Sequence, residues 1–199
     1  MITSLDELAN FAYNNDFPII SKSVAGVVSN ILDCTMPNNI LEIGLCIGYS
    51  SSLMASKGYV LKVTSIERAE KFIKVAKKNI EDLGLTKKID IIYGDASYVL
   101  PNLCAEKNKY DMIFLDAAKG QYIKFLPFIL ELLSEGGILI SDNISQKGLL
   151  ETPYEEIPKR QRTIYKNMNL FIDEIKSNKR LHSTVVEIGD GVSVSVLLK

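Results

Sequence analysis

Five short apolar runs, each separated from the next by a stretch with helical periodicity, constrain this chain more than any other feature. They read NILEIG, YVLKVTSIE, KIDIIYG, YDMIFLD and GILISDN. Runs that stay apolar on successive positions belong to strands covered on both faces, the condition of a parallel sheet. Between them YSSSLMASKG, AEKFIKVAKKNIEDLG, ASYVLPNLCAE and QYIKFLPFILELLSEG read as helices. Strand and helix in alternation predict a doubly wound α/β domain with a mostly parallel sheet.

Two helices within residues 1–36 precede the sheet. In TSLDELANFAYNN, Ser4 is followed three residues later by Glu7, the spacing of a helix start. SKSVAGVVSNILDCT supplies the second helix. At the other end, PKRQRTIYKNMNLFIDEIKSN reads as a helix after a loop. HSTVVEIGDGVSVSVLLK then holds two alternating runs around Gly189-Asp190-Gly191, a hairpin signal that closes the sheet with an antiparallel strand. The expected organisation is one domain over residues 1–199.

Composition narrows the class. With 47% hydrophobic and 24% charged residues the chain is an ordinary globular protein. No apolar run reaches the ~18 residues of a membrane span. The acidic, polar start is unlike a secretory signal, which makes the cytoplasm the expected compartment and a membrane partner unexpected. Cys34, Cys46 and Cys104 are too few and too scattered for a disulfide framework or a zinc site, and read as buried thiols. A net charge of -1 carries no global nucleic-acid signal, so any RNA contact has to come from a local patch.

In an open α/β sheet, ligands bind beyond the C-terminal ends of the strands. After the first run comes EIGLCIGYSSS. Gly44 and Gly48 allow close backbone approach, and the amides around Tyr49 and Ser50 open a helix able to hold an anion; a plain tight turn explains the glycines equally well. The spacing is neither G-x-G-x-x-G nor a P-loop, which disfavours a nicotinamide dehydrogenase. After the second run Glu67 stands where a carboxylate accepts both hydroxyls of a ribose, or is simply a solvated glutamate. After the third, Asp95 can accept from an adenine amino group, cap a helix, or do both. The fourth run delivers Asp116 and, three residues on, Lys119; the fifth ends in Asp142-Asn143. Two carboxylates and one amide oxygen suit Mg²⁺, though Asp142-Asn143 also reads as a polar turn and Lys119 as a solvated lysine. The lone histidine, His182, lies at the start of a late strand and reads as structural.

Taken together, LEIGLCIGYSSS, SIER, YGDA, FLDAAKGQY and ISDNI, in this order and spacing, resemble the cation-dependent S-adenosylmethionine O-methyltransferases, the group of catechol and caffeoyl-CoA methyltransferases. Within it, DAAKGQY and the terminal GDGVSVS look most like the bacterial tRNA 5-hydroxyuridine methyltransferases. The resemblance implies a Rossmann-like class I methyltransferase fold. It implies that Gly44, Tyr49 and Ser50, with backbone at Ile20, hold the amino-acid end of S-adenosylmethionine. Glu67 would bind the ribose, and Asp95 with the amide of Ala96 the adenine, with Asp116 also near the cofactor. It further implies Asp116, Asp142 and Asn143 as ligands of Mg²⁺ (or Mn²⁺), Lys119 as the base, and a homodimer. One departure is Leu45, where the family has a small residue. The acceptor implied is 5-hydroxyuridine in a tRNA anticodon loop. A catechol-type small molecule chelates the same cation, and a non-catalytic cofactor-binding module is the third reading. PKRQRTIYK places Lys159, Arg160, Arg162 and Lys166 together, a candidate phosphate contact or a solvated face balanced by Glu155 and Glu156.

Overall fold

Ser4 begins the first helix as expected. Its hydroxyl accepts from the Glu7 amide at 3.2 Å, while the Glu7 carboxylate reaches back to the amide and hydroxyl of Thr3. That helix, α1 (Leu5–Asn14), is followed by α2 (Lys22–Thr35), whose start is capped by Ser21. These elements belong to a computed structural model that describes residues 1–145 and 148–199. The chain falls into two compact units, Met1–Val99 and Leu100–Lys199.

The first unit carries β1 (Asn39–Ile43), α3 (Tyr49–Ala55), β2 (Lys62–Glu67), α4 (Glu70–Asp82) and β3 (Ile89–Tyr93). β2 pairs in parallel with both β1 and β3. Residues 40–43 of β1 are all buried, as a run without alternation requires. Its core gathers Ile40, Leu41, Ile43, Met54, Val63 and Ile66. Helix α5 (Ala96–Ala105) follows β3.

The second unit carries β4 (Tyr110–Leu115), α6 (Tyr122–Leu132), β5 (Leu133–Asp142), α7 (Arg162–Ser177), β6 (Leu181–Val186) and β7 (Val192–Leu197). β4 and β5 are parallel; β7 pairs antiparallel with both β5 and β6. The doubly wound α/β class is therefore the observed one, mostly parallel with an antiparallel C-terminal strand. Tyr122, Phe114 and Phe171 are its largest fully buried side chains.

Three expectations are corrected. The sixth helix stops at Leu132, and residues 133–136 join β5. Tyr110 pairs with Leu133, then the register slips so that Met112 pairs with Ile138. The glycine pair makes this irregularity possible: Gly136 has φ +74°, and a Cβ on Gly137 would lie 2.7 Å from the Ser134 carbonyl. Cys34 is exposed, and Cys46 and Cys104 are half-buried, so none is the fully buried thiol expected. His182 is on β6 but faces solvent, so it has no structural burial to serve. No described helix is long and apolar enough to cross a membrane.

Candidate active site

The first unit offers a backbone cradle. Gly44 and Gly48 sit at φ +109° and +84°, conformations that a side chain disfavours, and Cys46 between them is also left-handed at +49°. Gly48 precedes α3 without any side-chain cap, so the first amides of that helix have no intrahelical acceptor. Leu45 is buried in the core and its carbonyl accepts from the Gly48 amide, so its bulk serves packing. Buried Asn79 of α4 donates to the Ile47 carbonyl at 2.9 Å and fixes the far side of the loop.

Carboxylates organise the same loop. Glu67 ends β2 and accepts from three backbone amides: Cys46 at 3.0 Å, Arg68 at 2.9 Å and Ala69 at 2.8 Å. It is thus a built part of the loop and not a solvated side chain. Glu42, wholly buried in β1, accepts from the hydroxyls of Ser50 and of Ser65, the latter at 2.7 Å. The Ser50 side chain therefore points at Glu42, and what it can offer a ligand is its amide. Tyr49 is buried, and burial raises its phenol above the ordinary value. Ile20 is buried as well, leaving its backbone as the contacting group. Asp95 accepts from the Ser97 amide at 2.9 Å at the start of α5, with Arg68 at 3.3 Å; that amide, first, holds its carboxyl below the usual range. The cap reading of Asp95 is correct, and the adenine reading is compatible with it, since Ala96 follows at the helix start.

The second unit concentrates charge. The Lys119 ammonium donates to Asp116 Oδ1 at 2.6 Å and to the Tyr122 hydroxyl at 2.9 Å. That hydroxyl lies 2.9 Å from the Leu115 carbonyl and 3.1 Å from the Asp142 carbonyl. Asp142 is 1% exposed. Burial pushes its carboxyl up to about 6, and the charge of Asp116 adds to the rise, while Lys119 and the Asn143 amide oppose it and Asp190 reinforces it. Asn143 is left-handed at φ +53°, a conformation asparagine tolerates, and its amide donates to Asp142 Oδ1 at 2.8 Å. The hairpin loop backs this turn: Ile144 and Ser145 donate to the carbonyls of Gly191 and Asp190 at 3.0 and 2.9 Å. Gly191 is needed there, for a Cβ would meet the Ser145 hydroxyl and Ile144.

Asp116, Lys119, Asp142 and Asn143 are thus brought together within one unit. Among the described residues, no three His, Cys, Asp or Glu side chains form a ready metal cage. The donor set is two carboxylates whose charges oppose one another, beside an asparagine, and such a set can hold a hard divalent cation with water completing its shell. Glu42, Asn79 and Tyr122 were not singled out from the sequence. A carboxylate inside the apolar run NILEIG was the available signal for Glu42.

Helix α7 braces the Lys119 turn. Asn167 donates to the Gly120 carbonyl at 2.7 Å, and Ile164 packs against Gly120. Of the basic cluster ahead of this contact, Lys159, Arg160 and Lys166 are exposed. Arg162 is committed internally, donating from Nε to the Ile157 carbonyl at 3.0 Å. Arg162 and Lys166 both lie over the Tyr154 ring, at 4.9 and 5.3 Å, with Tyr165 5.7 Å from it.

A glycine-containing loop and carboxylates at strand ends, on a doubly wound α/β fold, are the arrangement in which Rossmann-like folds bind ligands. The O-methyltransferase family profile matches residues 2–197, so the chain belongs to that family, whose members take their methyl group from S-adenosylmethionine. A caffeoyl-CoA O-methyltransferase of Stellaria longipes is 27% identical over 173 residues, 84% of this chain and 71% of that one. A catechol O-methyltransferase of Niastella koreensis is 36% identical over 115 residues, 55% of this chain and 51% of that one. A Staphylococcus aureus protein, provisionally classed as a caffeoyl-CoA O-methyltransferase, superposes with a TM-score of 0.89 at 30% identity, covering 98% of this chain and 93% of its own.

Proposed function

We propose that residues 1–199 act as one divalent-cation-dependent O-methyltransferase domain whose acceptor carries a hydroxyl beside a second oxygen. The observation that carries this reading is the Asp116–Lys119–Asp142 constellation, since holding a cofactor alone requires neither the paired carboxylates nor the lysine. In this reading Gly44, Tyr49 and Ser50, with backbone at Ile20, hold the amino-acid end of S-adenosylmethionine. Glu67 takes the ribose, and Asp95 and Ala96 the adenine. Asp116, Asp142 and Asn143 would hold Mg²⁺ or Mn²⁺, which would supply Lewis acidity to the acceptor hydroxyl. Lys119 would take the acceptor's hydroxyl proton, while S-adenosylmethionine would supply the methyl group to the acceptor oxygen and leave as its thioether. The chain's main service is alignment.

For the acceptor we infer 5-hydroxyuridine of a tRNA anticodon loop, whose 5-hydroxyl and neighbouring carbonyl are such a pair. Exposed Lys159 and Arg160 support this, because they precede the turn of α7 that packs on Gly120 beside Lys119. A catechol-type small molecule is the second reading, favoured by the names of the relatives. Mass spectrometry of tRNA nucleosides from a strain lacking the protein separates them. Accumulated 5-hydroxyuridine with missing 5-methoxyuridine supports the first; an unchanged nucleoside profile rules it out. The family's habit makes a homodimer the expected assembly, which light scattering checks.

A further inference from the structure

We propose that Tyr122 is a positioning residue for methyl transfer, its hydroxyl tying together the strand ends that carry Asp116 and Asp142 and fixing the direction of the Lys119 amine. The inference rests on the reading of Lys119 as base.

Tyr122 is fully buried at the start of α6. A phenol has one proton and two lone pairs. One lone pair accepts from Lys119 Nζ at 2.9 Å. The proton lies between the carbonyls of Leu115 and Asp142, at 2.9 and 3.1 Å. Leu115 immediately precedes Asp116, so one hydroxyl links the ends of β4 and β5 at the residues that bear the carboxylates. A change in the spacing of these ends would move both aspartates.

The same hydroxyl governs the base. The contacts from Lys119 Nζ to Asp116 Oδ1 and to the Tyr122 hydroxyl fix two directions about the nitrogen, which sets the tetrahedral directions of the rest. With one contact removed, Nζ rotates among staggered positions and its open side is aimed only part of the time. The ring itself is held independently, edge-on to Phe171 at a centroid distance of 5.3 Å. Phenylalanine would fill the same space. A role confined to packing therefore predicts that the hydroxyl is dispensable.

The experiment compares the wild type with Tyr122→Phe, Phe171→Leu and Lys119→Met, measuring kcat, both KM values, calorimetric S-adenosylmethionine affinity, Mn²⁺ affinity by paramagnetic resonance, and Tm. Tyr122→Phe is expected to lose roughly 10-fold or more in kcat and to bind Mn²⁺ more weakly, with cofactor affinity unchanged. Phe171→Leu is expected to lower Tm while kcat stays near the wild type's, separating packing from the hydroxyl. If Tyr122→Phe does not fold, 4-aminophenylalanine placed at 122 restores donors for the two carbonyls but accepts poorly from Lys119. It should bind Mn²⁺ normally and keep a reduced kcat. A wild-type kcat in either Tyr122 variant, beside an inactive Lys119→Met, overturns this proposal alone. Wild-type turnover by Lys119→Met overturns the base reading and this proposal with it.

Discussion

The two units hold their carboxylates in opposite ways. In the first, Glu67 is met by three backbone amides and Glu42 by two hydroxyls. These donors are fixed dipoles aimed at the carboxylates, and those on Glu67 tie the Cys46 amide to the end of β2. In the second, Asp142 is buried near the like charge of Asp116, with Lys119 engaged on Asp116 Oδ1. Burial raises the proton affinity of Asp142 and the like charge of Asp116 adds to it, a conflict that either a proton or a cation would relieve. The difference is that Glu67 is held by backbone amides, while Asp142 is buried beside a second carboxylate whose lysine partner is engaged on it.

The largest expected effect breaks the second half and spares the first. Asp142→Ala, or wild type in EDTA, should lose at least about 100-fold in turnover, judged against the losses seen for residues around bound metals. Cofactor affinity measured by calorimetry should stay as it was. Full turnover in chelator would remove the cation from the reading.

Acidity sharpens the same contrast. A folded-state pKa near 6 for Asp142, above the ordinary carboxyl value, means the folded chain binds that proton more tightly than the unfolded chain. Its contribution is therefore most favourable below the ordinary value and is lost as pH rises to about 6, on the order of 3 kcal/mol without a cation. Thermal melts with and without Mg²⁺ should show a larger stabilisation by the ion at pH 7.5 than at pH 5. An equal response at both values would argue against Asp142 as a ligand.

Next in size is the first half. Glu67→Ala removes a ribose acceptor and the partner of three amides, so S-adenosylmethionine binding should weaken by about 1.5–3 kcal/mol. Because the carboxylate also ties the Cys46 amide to the end of β2, Tm should fall too, which a solvated glutamate would not cause. Unchanged calorimetric affinity in a folded variant takes Glu67 out of the site.

The strand ends were legible in the sequence because apolar runs locate strands and polar residues after them stand out. Asp116, Lys119, Asp142 and Asn143 came from that rule, as did Glu67 and Asp95. Less legible were residues whose partners are remote in sequence. Glu42 receives hydroxyls from positions 50 and 65, and Asn79 serves the carbonyl of residue 47. Tyr122 lay inside the quoted FLDAAKGQY, yet nothing local shows that its hydroxyl meets the Asp142 carbonyl. The early start of β5 was hidden because LELLSEG keeps a helical composition until two glycines permit the slip. Charge clusters mislead for a related reason: Arg162 reads as a free cation but is committed to the Ile157 carbonyl and the Tyr154 ring.

That last point sets the smallest prediction, which concerns the acceptor. Since Arg162 braces its own segment, the residues to remove are the exposed Lys159 and Arg160, which among the described residues make no ion pair with either aspartate. If tRNA is the acceptor, their contacts with phosphates release counterions, and replacing both with alanine should flatten the slope of log affinity against log salt by about 1–2 units. The KM for tRNA should rise several-fold at moderate salt while kcat at saturation holds, because the chemistry lies at Lys119. Methylation of free 5-hydroxyuridine should be unaffected by the pair of changes. A catechol-type enzyme predicts the reverse: efficient turnover of the small acceptor, no salt-dependent tRNA binding, and indifference to the double variant. Binding of tRNA that is insensitive to salt, with a double variant like the wild type, would mean that this segment of the second unit is a solvated face and not an RNA contact.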